Sequence, residues 1–202
     1  MNTIDYYNEN AKDYFDKTVN AKMQIQYDLF LKHVKSGGKI LDFGCGSGRD
    51  TLHFKNAGYE VDAIDGSIEL CKLASEYTNI DVKCMDFKDF DEKDMYDGVW
   101  ACSTLLHIKR VELVDILKRI RNSLKDDGCL YASLQDSNKE NYKSDGRYFN
   151  DVTVGSFIAL ADISNLKVID SLTDYSSVKE HQEKYGSKGI QWYSLILTKK
   201  GN

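Results

Sequence analysis

The sequence predicts a Rossmann-like α/β fold, in which a doubly wound, mostly parallel sheet of seven strands ends in an antiparallel hairpin. Three observations support this prediction. Five short apolar runs follow one another from residue 39, amphipathic helical patterns separate them, and two further runs near the C-terminus lack a full helical crossover. Near-continuous apolar runs are typical of strands that a parallel sheet buries on both faces. Alternating strands and helices indicate a doubly wound sheet.

Each element is assigned from its own pattern. The predicted strands are residues 39–43, 59–64, 80–85, 98–102, 129–134, 166–172 and 191–198. Apolar positions at helical spacing predict helices over residues 67–77, 111–124 and 153–161, with Thr153 as the N-cap of the last helix. A further apolar stripe precedes the first strand, and residues 5–15 are predicted to form one short helix lying over the domain. The polar segment 135–151 is predicted to be a loop.

Composition indicates one globular domain. The chain has 202 residues, of which 42% are hydrophobic and 29% are charged, and this balance is that of a folded rather than a disordered chain. No Gly/Ser/Pro-rich linker divides the sequence. We therefore expect a single domain over residues 1–202, with an N-terminal helical lid (1–36) and a Rossmann-like core (37–202).

Charge and cysteine content exclude several classes of protein. A net charge of −5 disfavours a nucleic-acid binder. Five cysteines without a CxxC pair argue against a disulfide framework and a zinc site, and free thiols suit the cytoplasm. The sequence contains neither an apolar run of roughly 18 residues nor a signal-peptide pattern at its start. We expect a cytoplasmic monomer or homodimer without a metal, nucleic-acid or membrane partner.

The densest motif is a glycine-rich turn behind the first strand. Gly44, Gly46 and Gly48 occupy every second position of the segment that joins that strand to a predicted helix. An ordinary strand-to-helix turn usually needs one glycine, whereas several allow the backbone to approach a ligand closely. Ligands of such sheets bind at the carboxyl ends of the strands. The motif therefore favours a ligand site at this turn.

The spacing of the turn distinguishes between cofactors. Dinucleotide sites use GxGxxG around a pyrophosphate, but this chain has GxGxG with Asp42 just upstream. A carboxylate in this position would repel a pyrophosphate and suit a ligand with a cationic end. Asp65 ends the second predicted strand, 21 residues after Gly44. It is placed to accept hydrogen bonds from two ribose hydroxyls, to cap the helix that begins near Ser67, or to do both.

These segments resemble the motifs of the class I S-adenosylmethionine-dependent methyltransferases, and the likeness extends along the chain. DFGCGSG (42–48) resembles the first motif, and VDAIDGS (61–67) resembles the second, whose acid holds the ribose. Met85-Asp86-Phe87 resembles the adenine contact, with Asp86 accepting from the exocyclic amine. Among family members, the chain is similar to the small bacterial single-domain, tellurite-resistance-like group. The resemblance implies S-adenosylmethionine as cofactor and the following cofactor-binding residues: Asp42, Gly44, Cys45, Gly46, Asp65, Ser67, Asp86, Phe87 and Cys102.

The chain contains no proline, and this excludes some acceptors. Enzymes of this family that methylate amino groups of nucleic acids or glutamine typically carry an Asn/Asp-Pro-Pro-aromatic motif after the fourth strand. A Pro-Cys nucleophile for cytosine is likewise impossible, and Cys102 at that strand end is interpreted as a small wall or core residue. Together with the acidic charge, this favours a small-molecule acceptor.

Candidate residues for the acceptor side lie in three segments. His107 follows the fourth strand and is the best candidate for a general base if the acceptor must lose a proton; the alternative is a packed or surface histidine. Tyr6 and Tyr14, with Tyr7, belong either to a lid that touches the acceptor or to the packed face of a helix. Arg147 and Tyr148 are further candidates for binding the acceptor, although a structural ion pair explains Arg147 equally well.

Two other functions remain open at this point. The first is an NAD-binding oxidoreductase, which GxGxG, Asp42 and the lack of a nearby Lys/Tyr or Cys/His pair disfavour. The second is a non-catalytic module that binds S-adenosylmethionine or its product and contacts a partner protein. No feature of the sequence requires either interpretation.

Overall fold

The computed structural model describes residues 2–137, 139–143, 145–174 and 191–201. In the described residues, three N-terminal helices precede nine strands, and four further helices lie between some of these strands. In chain order they are α1 (Thr3–Glu9), α2 (Ala11–Thr18), α3 (Gln24–Leu31), β1 (Lys39–Phe43), α4 (Arg49–Asn56), β2 (Glu60–Asp65), α5 (Ile68–Thr78), β3 (Lys83–Cys84), β4 (Tyr96–Cys102), α6 (Arg110–Ser123), β5 (Leu124–Gln135), β6 (Lys139–Tyr142), β7 (Tyr148–Asp151), α7 (Val154–Ile163), β8 (Leu166–Asp174) and β9 (Trp192–Lys199).

One sheet of seven strands organises the molecule, in the order β3-β2-β1-β4-β5-β9-β8. The first five strands of this order pair in parallel, whereas β9 runs antiparallel to both β5 and β8. The predicted mostly parallel seven-stranded sheet with an antiparallel C-terminal pair is confirmed. Because β1, β2, β3 and β4 are parallel, their carboxyl ends meet at one edge of the sheet, where ligands of this fold bind.

The core lies on both faces of this sheet. On one face, Trp100 and Tyr131 stack with ring centroids 3.8 Å apart, and Phe30 of α3 packs 5.2 Å from Trp100. The other face contains leucines and isoleucines of α6 that are at most 1% exposed, and they form the apolar stripe seen in the sequence. Helix α7 begins after Thr153, whose side chain accepts from the Ser156 amide, so the predicted N-cap is confirmed.

Three predicted elements differ from the structure. The third strand is two residues long rather than six, because it is an edge strand that pairs with β2 alone and both its residues are exposed. Segment 135–151 contains a two-stranded hairpin of β6 and β7 rather than a loop alone. Residues 5–15 form two helices, because the Asn10 side chain donates to the Tyr6 carbonyl and favours a break there.

Helices α1 and α2 cover the carboxyl edge of the sheet through contacts with α5. The Ser67 hydroxyl donates to Asn8 at 2.7 Å, and the rings of Phe15 and Tyr77 meet edge to face at 5.5 Å. This packing accompanies the position of the Tyr14 ring, which lies next to Gly46 of the glycine-rich turn. Over the described residues, no helix has the length and apolar character required to cross a bilayer.

Candidate active site

A cavity of 360 Å³ opens between the carboxyl edge of the sheet and helices α1 and α2. The glycine-rich turn and the ends of β2 and β4 form its floor, and the two helices form its roof. Several candidate residues from distant parts of the sequence line it. They are Tyr14, Gly44, Gly46, Asp65, Ser67, Asp86, Phe87, Cys102, His107 and Tyr148.

The glycines of the turn are required by its geometry. Gly44 has φ +82°, and an added Cβ there would lie 2.4 Å from Cγ2 of Thr104. Gly46 has φ +54°, and its Cβ would lie 3.1 Å from the Tyr14 ring. Side chains at these positions would therefore be strained, and they would fill the space between the turn and its neighbours. The turn presents bare backbone to the cavity, as the motif predicts.

We expect Gly44→Ala to destabilise the protein by ~2–5 kcal/mol, because strain at positive φ adds to overpacking against Thr104. Gly58→Ala is the matched control: its φ is +88°, but nothing lies within 4 Å of an added Cβ. The control therefore carries only the backbone strain, ~1–2 kcal/mol. Urea unfolding of both variants measures the difference. Equal losses would show that the contact with Thr104 is readily relieved.

Asp65 projects from the end of β2 into the cavity wall. Its Oδ2 accepts from the Gly46 amide at 2.9 Å, and its Oδ1 accepts from the Ser67 amide at 2.9 Å. Burial raises the pKa of this carboxyl, and the backbone amides oppose that rise. The N-cap of α5 is Ser67, whose Oγ accepts from the Leu70 amide. Asp65 therefore joins the turn to the start of α5 rather than serving as the N-cap residue.

The turn after β3 supplies a second wall. Phe87 stacks on Phe43 with ring centroids 4.4 Å apart and an angle of 28° between the rings. Asp86 begins this turn, and its Oδ1 accepts from the Lys88 amide at 3.0 Å. A flat apolar surface next to a carboxylate is suited to an aromatic base with an exocyclic amine.

The end of β4 contributes Cys102 and Ser103 to the wall. Burial raises the pKa of the Cys102 thiol to about 12, so it is a neutral group rather than a nucleophile near neutral pH. Ser103 has φ +55°, a conformation that non-glycine residues rarely adopt. Its amide donates to Oγ of Ser133 at 2.9 Å, which holds this turn of the chain toward the cavity. The sequence contains no clear signal for this conformation.

Two of the candidate cofactor residues do not line the cavity. Asp42 is 1% exposed and lies beneath the turn, where its Oδ2 accepts from the Thr51 hydroxyl at 2.6 Å. Burial, and secondarily the charge of Asp50, raises its pKa to about 8. Cys45 packs in an apolar cluster with Cys71 and Ala74. These two side chains support the turn from below, so the structure does not bring these two predicted cofactor-binding residues to the cavity.

His107 is held at both ring nitrogens. Nδ1 lies 2.9 Å from the Tyr148 carbonyl oxygen, and Nε2 lies 2.9 Å from Oη of Tyr7. Because a carbonyl only accepts, Nδ1 carries the hydrogen and Nε2 accepts from the Tyr7 hydroxyl. Burial lowers the pKa of His107 to about 4. The imidazole is therefore neutral near neutral pH, and its basic nitrogen is already engaged by Tyr7.

Two of the candidate acceptor residues lie outside the cavity wall. The Arg147 guanidinium pairs with Asp145 at 2.7 Å and lies over the rings of Tyr6 and Phe149, at 4.5 and 5.3 Å from their centroids. The ion pair named as the alternative for Arg147 is thus present, and Tyr6 is its stacking partner. Tyr14 and Tyr148 do line the cavity. Tyr7, which the sequence offered only as part of a lid, contacts His107 directly.

The charged groups do not form a metal site within residues 2–137, 139–143, 145–174 and 191–201. No group of three or more His, Cys, Asp or Glu side chains converges there. The cavity is instead bordered by the carboxylates of Asp65, Asp86 and Glu112, the ammonium groups of Lys88 and Lys109, and a set of neutral hydroxyl, thiol and imidazole groups. Lys88 pairs with Glu112 at 3.0 Å.

Comparisons with known proteins place this site in a family. A family model described as a methyltransferase domain matches residues 40–128. An uncharacterized methyltransferase of Staphylococcus carnosus is 32% identical over 145 residues, which cover 67% of this chain and 70% of that protein. The (S)-coclaurine N-methyltransferase of Papaver somniferum is 30% identical over 119 residues, 52% of this chain and 32% of that enzyme.

A solved structure gives the same result for the fold. The 1,6-didemethyltoxoflavin-N1-methyltransferase of Burkholderia thailandensis, determined with 1,6-didemethyltoxoflavin and S-adenosylhomocysteine, superposes with a TM-score of 0.77. It is 20% identical, and the match covers 98% of this chain and 85% of that one. The matched segment 40–128 contains the glycine-rich turn, Asp65, Asp86 and His107. The chain therefore belongs to the class I S-adenosylmethionine-dependent methyltransferases.

Proposed function

We propose that this methyltransferase transfers the methyl group to a small molecule bound beneath helices α1 and α2. The observation that carries the proposal is the single cavity that joins the glycine-rich turn and Asp65 to Tyr7, Ser103 and His107. A cofactor held by the glycine-rich turn and Asp65, the cofactor end, directs its methyl group toward Tyr7, Ser103 and His107, the acceptor end. The chain's own helices roof this space, which favours a small acceptor over a polymer.

The cofactor end of the cavity fits S-adenosylmethionine, which supplies an electrophilic methyl group on a sulfonium. Gly44 and Gly46 offer bare backbone, since a Cβ at either would crowd Thr104 or Tyr14. Asp65 is placed to accept from the ribose hydroxyls, and Ser67 lies beside it. Phe87 offers its face to the adenine, and Asp86 offers a carboxylate to the exocyclic amine.

The acceptor end presents four neutral polar side chains. It is bordered by the hydroxyl of Tyr7, the thiol of Cys102, the side chain of Ser103 and the neutral imidazole of His107. Groups of this kind position an uncharged or weakly polar nucleophile through hydrogen bonds. Methyl transfer depends chiefly on such positioning, which is worth up to ~7–11 kcal/mol in favourable cases.

Charge and relatives support the same class of acceptor. The net charge of −5 opposes binding to a phosphate backbone. The Papaver somniferum and Burkholderia thailandensis proteins are both named for small-molecule acceptors. The helical lid over residues 1–36, the cytoplasmic location and the monomeric or homodimeric state remain our predictions, and chromatography with light scattering measures the last.

Calorimetry and a methyl-transfer screen test the proposal. We expect the chain to bind S-adenosylhomocysteine and to show no binding of NADH. With radiolabelled S-adenosylmethionine, we expect transfer to members of a panel of small amines, phenols and thiols. Faster transfer to tRNA or to a protein than to any small molecule would contradict the proposed acceptor class. Binding without transfer to any acceptor would favour the non-catalytic module.

A further inference from the structure

The contact between Tyr7 and His107 joins the N-terminal helix to the end of β4. A hydrogen-bonded row runs from the Tyr148 carbonyl through Nδ1 and Nε2 of His107 to Oη of Tyr7, with 2.9 Å at each step. Tyr7 and His107 both line the cavity. The row is anchored at the carbonyl end and reaches the phenolic oxygen of Tyr7, which also hydrogen-bonds the Arg147 guanidinium.

The position of Tyr7 is fixed from several sides. The rings of Tyr6 and Tyr14 meet it edge to face, with centroids 5.5 and 5.1 Å away. Its helix is closed at the start by a capping box between Asn2 and Asp5. The amide of Tyr148 donates to Oγ1 of Thr3 at 2.9 Å, which ties the same helix to β7. Such support is what a group must have to act on a reacting atom.

The direction of the hydrogens determines what the row can bind. Because Nδ1 donates to a carbonyl, the Tyr7 hydroxyl donates to Nε2. The Arg147 guanidinium also donates to Oη. One lone pair of Oη is then left for an acceptor in the cavity. An acceptor that meets this lone pair favourably must itself donate, so it carries an N–H or O–H on its nucleophilic atom.

We propose that Tyr7 is the residue that touches the reacting nucleophile, and that His107 acts through it as a transient proton acceptor. As the lone pair of the nucleophile takes the methyl group, its N–H or O–H bond breaks and the proton moves to Oη of Tyr7. The Tyr7 hydroxyl proton moves to Nε2 of His107 in the same step. The electron pair of the broken carbon–sulfur bond stays on sulfur in S-adenosylhomocysteine. This inference rests on the proposed function.

The electrostatics of the row set its starting state, and the low pKa of His107 makes its protonated form short-lived. Burial raises the pKa of Tyr7 and lowers that of His107, so both groups begin neutral, as the transfer requires. The Arg147 guanidinium opposes the rise for Tyr7 and adds to the fall for His107. Its charge therefore favours negative charge at Oη and promotes release of the extra proton from His107 after transfer.

Tyr7→Phe tests the inference because it keeps the ring and removes only Oη. Tyr77→Phe is the control, since Tyr77 is also an aromatic contact of the N-terminal helices but lies on α5 at the surface. Three acceptor probes are compared with each variant: tetrahydroisoquinoline and catechol, which carry N–H and O–H, and thiophenol, which reacts as a thiolate at pH 8. Binding of S-adenosylhomocysteine is measured by calorimetry.

We expect Tyr7→Phe to lower turnover of the amine and phenol ~10²-fold, to leave thiophenol within ~3-fold, and to preserve binding of S-adenosylhomocysteine. Equal losses for all three probes would assign Tyr7 a merely structural role and overturn the inference.

Nitrogen NMR of the protein with 15N-labelled histidines gives a readout that does not depend on turnover. The His107 signals are assigned by their loss in a His107→Gln variant. The Nε2 signal should shift in Tyr7→Phe and not in Tyr77→Phe. An unchanged signal would also overturn the inference, whereas wild-type inactivity toward every probe counts against the proposed function alone.

Discussion

Replacing Asp65 with alanine is expected to weaken binding of S-adenosylhomocysteine ~30-fold or more. Removal of two charge-assisted hydrogen bonds to a ligand typically costs ~2–5 kcal/mol, and ~2 kcal/mol corresponds to about 30-fold in the dissociation constant. The carboxylate also accepts from the amides of Gly46 and Ser67. Its loss therefore loosens the turn that approaches the cofactor, which adds to the effect. Isothermal titration calorimetry measures the dissociation constant.

A second variant separates charge from shape at this position, and a third is the control. Asp65→Asn keeps the size of the side chain and one acceptor oxygen, so we expect an affinity between those of the wild type and Asp65→Ala. Glu60→Ala is the control. Glu60 lies at the other end of β2, and its exposed carboxylate pairs with Lys39. We expect this variant to bind normally. A folded Asp65→Ala variant with unchanged affinity would remove Asp65 from the cofactor site.

The order of strands and helices was predictable because periodicity and burial coincide in most of this chain. Strands β1 and β4 are buried on both faces over most of their length, and α6 carries one continuous apolar stripe. The hairpin of β6 and β7 escaped prediction because its segment is largely polar, with no alternation of apolar and polar residues to indicate strands. The four residues of β7 are nevertheless buried, and they pack against the turn that contains His107.

The site was predictable wherever the backbone fixes a residue at the edge of the sheet. The glycine-rich turn, Asp65 and Asp86 follow directly from strand ends, so their sequence positions place them at the cavity. Asp42 lies two residues before the turn, so the orientation of its side chain decides whether it reaches the cavity. The side chain points beneath the turn and contacts Thr51. The Tyr7–His107 contact joins residues 100 positions apart. No local pattern encodes it, because it depends on how α1 docks.

Asp50 lies at the centre of a buried polar cluster beneath the same turn, and its replacement has the largest expected effect on stability. Its two carboxylate oxygens accept from Tyr27 Oη at 2.5 Å, Trp100 Nε1 at 2.8 Å and two nitrogens of Arg49 at 2.6 and 2.8 Å. Asp50 is 5% exposed, and the Arg49 side chain is 18% exposed. The carboxylate thus satisfies four donors that water cannot readily reach.

We expect Asp50→Ala to lower the free energy of unfolding by ~3–5 kcal/mol, because removing one partner of a buried ion pair leaves the other charge uncompensated. Asp16→Ala is the control, since Asp16 pairs with Lys12 on an exposed helix surface and should cost at most ~1 kcal/mol. Urea unfolding at pH 7 measures both. A loss as small as the control would show that water reaches Arg49 and solvates it.

The same variant should change how stability depends on pH. The folded-state pKa of Asp42 is raised to about 8, by burial first and by the charge of Asp50 second. Between pH ~4 and 8 the folded state therefore holds a proton that the unfolded chain releases, so this group makes stability fall as the pH rises. Removing the Asp50 charge lowers the pKa of Asp42, and the fall should become smaller and end at a lower pH. An unchanged slope in unfolding measured from pH 5 to 8 would show that burial alone sets the pKa of Asp42.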